Sequence, residues 1–90
     1  MRLDLFLRNV CIAKSRSMAS KAIDEGRVLV NGARVKASRE VRAGDVLEVA
    51  FGHTLRRLKV LEVPSGRLSK AASKDFYDIL DEKIIKDDLW

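Results

Sequence analysis

Arg2, Lys14, Arg16, Lys21, Arg27, Arg34 and Lys36, with Ser15 and Ser17 set among them, are the residues whose types and spacing suit one chemistry, the binding of phosphate. Guanidinium groups present a fork of donors to phosphate oxygens, and ammonium groups present a point charge. Three of the cations are sorted by a hairpin, Arg27-Val28-Leu29-Val30-Asn31-Gly32-Ala33-Arg34-Val35-Lys36. Asn31-Gly32 suits a two-residue type I′ turn, in which both central residues need positive φ, and such a turn sets the register. Val30 is then expected opposite Ala33, Leu29 opposite Arg34, Val28 opposite Val35, and Arg27 opposite Lys36. Alternation places Val28, Val30, Ala33 and Val35 on a core face and Arg27, Leu29, Arg34 and Lys36 on the other. Arg27 facing Lys36 is unfavourable for a bare sheet and becomes favourable beneath an anion. Surface cations also serve simply to keep an outer sheet face soluble, so the hairpin alone does not decide its own role.

A second focus is expected at the start of a helix. Ser15 or Ser17 can cap it by accepting a hydrogen bond from a free backbone N–H, the ordinary role of serine there. Lys14 and Arg16 add cations where unpaired N–H groups and the macrodipole already favour a phosphate. Arg2, ahead of the first helix, extends the basic surface, whereas Asp4 is expected to cap that helix or to pair with Arg16. Lys21, one turn beyond Ser17, is a weaker candidate.

Composition points the same way. Ninety residues that are 47% hydrophobic allow one small domain with a modest core and leave no room for a cleft between domains. Residues 1–74 hold 16 Lys and Arg against 7 Asp and Glu, a net of +9, while residues 75–90 hold 2 against 6, a net of −4. A basic body with an acidic tail favours a polyanion as partner. No apolar run approaches the roughly 18 residues that span a bilayer, and Met1-Arg2-Leu3-Asp4 does not open a secretory signal. A cytoplasmic protein without membrane association is expected. Cys11 is the single cysteine, without partners at metal-ligand spacing, and reads as a small buried hydrophobe on the first helix. His53, the only histidine, reads as a turn or strand-end residue. No catalytic constellation and no glycine-rich phosphate loop stands out, so a non-catalytic protein without cofactor or metal is expected. Aromatic residues are too few for a base-stacking platform, so a nucleic-acid partner would be recognised by backbone and shape.

The elements that must position these residues follow from periodicity. Leu3, Phe6, Leu7, Val10 and Cys11 predict an amphipathic helix over about residues 3–11. Ala19, Ala22 and Ile23 predict a second, closely packed helix, ended by Gly26 as a left-handed residue. After the hairpin, Ala43-Gly44-Asp45 reads as a turn, and Val46, Leu47 and Val49 as a strand reaching Phe51. Leu55 to Val63 can add another strand, stopped by Pro64-Ser65-Gly66. Ala72, Phe76, Ile79, Leu80, Lys83 and Ile84 sit at helical offsets and predict a C-terminal helix starting near Ser69. The expected class is α+β: two packed N-terminal helices, a small antiparallel sheet with the basic hairpin, and a C-terminal helix. The expected division is residues 1–63 for the binding domain with its extra strand, and 64–90 for the helix and acidic tail.

One family carries the same pattern. Arg2-Leu3-Asp4 with Leu7, Ser15-Arg16, Ala19, Ala22-Ile23, Gly26, Val28-Leu29-Val30-Asn31-Gly32, Val35, Ser38, Val41 and Gly44-Asp45 resemble, in order and spacing, the S4 RNA-binding domain or αL motif. The resemblance spans about residues 1–50 and implies an RNA-binding surface made by the second helix and the hairpin. The Phe51-Gly52 step, the basic stretch Arg56-Arg57-Lys59 and the Ala72…Tyr77…Leu80 segment are similar to the small stand-alone proteins of ribosome-associated quality control and their heat-shock relatives. That resemblance implies ribosomal RNA of the large subunit and tRNA or peptidyl-tRNA as partners of a monomer, with Arg56, Arg57 and Lys59 as a possible second RNA surface. Two other readings remain open at this level, a ribosome assembly factor and a protein-interaction adaptor using the acidic tail.

Overall fold

Helix α1 (Leu3–Asn9) buries Leu3, Phe6 and Leu7 completely, the face its spacing demands. It ends at Val10 because Cys11 turns left-handed, with φ of 63°. The Cys11 N–H then bonds Arg8 O and the Ile12 N–H bonds Leu7 O, the pair of bonds that closes a Schellman cap. Cys11 therefore lies beyond the helix, half-buried, with its Sγ donating to Leu68 O at 3.2 Å, and is not the buried hydrophobe expected from periodicity.

Helix α2 (Arg16–Asp24) starts where Ser15 Oγ accepts from Met18 N at 3.1 Å. It ends at Gly26, φ 79°, where the Gly26 and Arg27 N–H groups bond Ile23 O and Ala22 O. Ala19, Ala22 and Ile23 bury their side chains and let α2 lie closely against α1.

The computed structural model describes residues 1–84. Its strands are β1 (Val28–Val30), β2 (Ala33–Arg34), β3 (Val46–Phe51), β4 (Thr54–Val60) and β5 (Tyr77–Ile84), all paired antiparallel in the order β2-β1-β3-β4-β5. Val28, Val30, Leu47, Val49, Leu58 and Val60 line the face beneath α1 and α2 and are buried. This is the expected α+β class. It also settles which parity of the Leu55 to Val63 stretch is inside, since Leu58 and Val60 are buried while Leu61 is exposed.

The hairpin is shorter than expected. Asn31 and Gly32 have φ of 52° and 83°, and Val30 pairs with Ala33 and Leu29 with Arg34 as the turn requires. The ladder stops there, so Val28 does not pair with Val35 nor Arg27 with Lys36. Beyond Arg34 the chain leaves the sheet to serve the start of α1, where Asp4 N–H bonds Ala37 O and Leu3 N–H bonds Arg39 O. Val28 pairs instead with Val49 of β3, and Ala33 is exposed at the sheet edge.

The C-terminal helix is corrected more deeply. Ser69 does cap a helix, its Oγ accepting from Ala72 N, but α3 (Lys70–Ser73) is a single turn and the chain then enters β5. The open edge of β4 offers unpaired backbone groups that a neighbouring strand satisfies. A bulge hides the strand from periodicity analysis: Leu58 faces Ile79, yet Arg57 faces Asp81, leaving Leu80 as the extra residue and breaking the alternation. The acidic ending Asp87-Asp88-Leu89-Trp90 lies outside the described residues.

Candidate nucleic-acid interface

The start of α2 is organised around one buried carboxylate. Asp4, in the first turn of α1, is 2% exposed. Its Oδ1 accepts from Leu5 N at 2.8 Å and from Arg2 Nε at 3.2 Å, while its Oδ2 accepts from Arg2 Nη2 and from Arg16 Nε, each at 3.2 Å. Arg2 is thus held by two parallel bonds and Arg16 by one. Their side chains remain about half exposed, at 46% and 49%. Arg16 engages Asp4 through Nε, so its terminal N–H groups have no carboxylate partner among the described residues. A burial that costs Asp4 its hydration is offset by these four bonds. The result is two guanidinium groups fixed side by side at the positive end of a nine-residue helix.

Arg2, Asp4, Arg16, Ser17, Ser20 and Lys21 line one shallow depression along α2, closed at its far end by Asp24 and Glu25. Four of the expected contact residues, Arg2, Arg16, Ser17 and Lys21, are therefore brought together. Ser15 is occupied as the cap of α2, and Lys14 is exposed on the connection just before it. Lys36 is exposed one residue before Ala37, the partner of Asp4 N–H, which places it by the same end of α1.

The hairpin arginines are used differently. Arg34 Nη2 donates to Asp24 O at 2.9 Å, satisfying a carbonyl at the end of α2, and its guanidinium lies across Gly26. A Cβ at Gly26 would stand 3.0 Å from Arg34 Cζ, so this glycine is required twice, for its positive φ and for the room. Arg27 pairs with Glu25 at 3.4 Å on the outer face of the sheet. Neither role is visible in a scheme that treats the hairpin cations as one free cluster.

The second basic stretch is matched by acid. Arg56 Nε meets Glu82 Oε2 at 2.7 Å, and in the β4–β5 register Arg57 faces Asp81 and Lys59 faces Asp78. Assigning residues 76–84 to a helix concealed these pairs. What sequence reasoning missed lies nearby: Lys70 and Lys74 border a separate depression with Arg56, brought there by the docking of α3 against the end of α1. His53 is exposed in the two-residue turn between β3 and β4.

The amino terminus is tied in by charge as well. The Met1 ammonium donates to Glu40 Oε2 at 2.8 Å, beside the bridge between Arg2 and Glu40. That hydrogen bond, and then the ammonium charge, hold the Glu40 carboxyl below the usual carboxylate range. Because the folded value is lowered, the pair contributes above the ordinary value and is lost as pH falls through the lowered one. Among the described residues no cluster of three or more His, Cys, Asp or Glu is placed to hold a metal ion, and no helix is long and apolar enough to cross a membrane.

Two helices on one face of an antiparallel sheet, with arginines clamped where the second helix begins, define a class that comparison with known proteins identifies. A family model described as S4 domain matches residues 1–47, more than half of the chain, and the chain belongs to the S4-domain family. More particularly, it is 39% identical over 83 residues to the RQC P-site tRNA stabilizing factor of Bacillus subtilis, covering 92% of this chain and 95% of the relative. It is 34% identical over 89 residues to the protein of the same name from Streptococcus pneumoniae, covering 99% and 100%. Among solved structures, the heat shock protein 15 of Vibrio cholerae, described as trimeric, superposes with a TM-score of 0.85 at 26% identity, covering 88% of this chain and 80% of that one.

Proposed function

We propose that this protein is a non-catalytic RNA-binding protein of the cytoplasm that binds ribosomal RNA and tRNA on large ribosomal subunits carrying stalled peptidyl-tRNA, in ribosome-associated quality control. The observation that carries the reading is the Asp4 clamp, which presents Arg2 and Arg16 together at the start of α2. Fixed guanidinium pairs suit phosphate oxygens, and a preordered pair loses less freedom on binding than two mobile side chains. The relatives named RQC P-site tRNA stabilizing factor, matched over nearly their full length, support the ribosomal and tRNA partners. On this reading residues 1–63 form the RNA-binding unit and act as a monomer. A small basic surface with few base-reading groups gains selectivity by touching two RNAs at once, since the second contact forms at high effective concentration.

The test is affinity for purified large subunits with and without peptidyl-tRNA. Tighter binding to the loaded subunits is expected, and equal affinity would remove the quality-control assignment. Arg16→Ala is expected to weaken binding on the order of tenfold and more than Lys21→Ala, because Arg16 joins a donor fork to the helix terminus. Equal losses from the two would show that the focus lies elsewhere.

A further inference from the structure

We infer that the protein carries a second RNA-binding surface, at the opposite end of α1 from Arg2 and Arg16, in which Lys70 and Lys74 hold the phosphates of an unpaired nucleotide whose base rests beside Tyr77. The inference deepens the RNA-binding reading above and rests on it. The surface is built, because α3 is docked through backbone and side-chain bonds. Leu68 N–H donates to Asn9 O at 2.9 Å, satisfying a carbonyl at the end of α1, and Leu68 O accepts from Cys11 Sγ at 3.2 Å. Ser69 caps the turn and the buried Ser73 donates to Lys70 O at 2.8 Å.

Held in this way, Lys70 and Lys74 border a depression of about 510 Å³ with Arg56, over a floor that includes Val10, Ile12 and Tyr77. No carboxylate lines it among the described residues. Arg56 is engaged by Glu82, but neither Lys70 nor Lys74 has an ion-pair partner among the described residues. Like charges four residues apart on a helical turn repel one another, and an anion between them turns that repulsion into binding. An apolar floor with an aromatic ring under a cationic rim is the chemistry that takes a base and its phosphate together. With seven residues in α1, the two surfaces stand roughly 10 Å apart along its axis. Both can therefore be occupied in one complex.

The experiment measures affinity for purified large ribosomal subunits across a salt series, using the whole chain and its K70E/K74E, R16A and K83E variants. K70E/K74E is expected to lose on the order of tenfold in affinity and to flatten the slope of log K against log salt by about 1–2. Lys83→Glu changes charge away from both surfaces and is expected to do far less than Lys74→Glu, which is measured alongside as a single variant. Equal losses from those two would mean that only net charge is being read, which overturns the site. If R16A weakens binding and K70E/K74E does not, this inference falls and the first surface stands. If neither weakens binding, the RNA-binding reading itself fails. Cys11 supplies an independent readout as the chain's single cysteine, lining the same depression. Its alkylation by iodoacetamide, followed by mass, is expected to slow severalfold in wild-type protein saturated with large subunits, and an unchanged rate overturns the proposal. Unfolding curves matching wild type confirm that the exposed substitutions leave the fold intact.

Discussion

Asp4 sets the behaviour of the strongest cations, and it does so against the sign of its own charge. Removing a carboxylate raises the net positive charge, which by itself would tighten binding to RNA. Asp4→Ala is nevertheless expected to weaken binding to large subunits severalfold, because Arg2 and Arg16 lose the group that fixes them side by side. The accompanying loss of stability should be about 1 kcal/mol, since both arginines are half exposed and regain water. A filter-binding titration beside a denaturation curve reads both, and tighter binding would refute the clamp. Two glycines offer a matched comparison at the same scale. Gly26 and Gly32 both have positive φ, but only Gly26 has Arg34 in the space a Cβ would fill. Gly32→Ala should cost about 1 kcal/mol of backbone strain. Gly26→Ala should cost more by about 0.5–1.5 kcal/mol, because the displaced Arg34 gives up its bond to Asp24 O. Urea denaturation of both variants distinguishes these outcomes.

At the scale of elements, β5 decides which part of the sheet can meet RNA. By pairing with β4 it places Glu82 against Arg56, Asp81 across from Arg57, and Asp78 across from Lys59. Cations standing across from carboxylates on the next strand draw a phosphate less strongly, because the neighbouring negative charge lowers the local potential. Arg57→Ala and Lys59→Ala are therefore expected to change affinity for large subunits by less than about twofold, against roughly tenfold for Arg16→Ala. A loss at Arg57 equal to that at Arg16 would mean that β5 does not screen this face in solution. The segment from Ala37 to Val41 acts in a complementary way. Its backbone bonds to Leu3, Asp4 and the Met1 carbonyl hold the start of α1 in place, and so hold Asp4 under both arginines.

For the molecule as a whole, binding should be governed by release of counterions. The cations at the start of α2, with Lys14, Lys36 and the second surface, suffice to neutralise about 4–6 phosphates, giving log K a slope of about −3 to −5 against log salt. Isothermal or filter-binding measurements from low to moderate salt check this directly. A slope flatter than about −1 would show that the basic body is not the contact surface. The division of charge along the chain gains a structural meaning here. Of the acidic residues after Lys74, Asp78, Asp81 and Glu82 stand on β5 across from Lys59, Arg57 and Arg56 of β4.

What the sequence by itself determined was whatever depends on a few consecutive residues. Asn31-Gly32 made the turn because both positions needed positive φ, Ser15 capped α2 because its oxygen reaches an N–H three residues on, and Gly26 ended that helix because it tolerates φ of 79°. Periodicity likewise sorted the buried face of α1, with Leu3, Phe6, Leu7 and Val10 inside. Tertiary structure alone decided which cations meet and which are spent. The pairing of Asp4 with Arg16 was open to the sequence as one of two roles for Asp4, but that Asp4 also holds Arg2, that Arg34 closes α2 across 10 positions and that Cys11 reaches Leu68 across 57 were not, since no local pattern carries information over such distances. The fate of residues 76–84 was decided in the same way. Their apolar spacing suits a helix, but the open edge of β4 and a line of opposite charges across it made a bulged strand the better partner. Local chemistry could name the residues able to hold phosphate, and only packing could choose among them, because the fold decides whether a carboxylate beside a cation holds it toward solvent, as Asp4 holds Arg2 and Arg16, or faces it across a sheet, as Asp81 and Asp78 face Arg57 and Lys59.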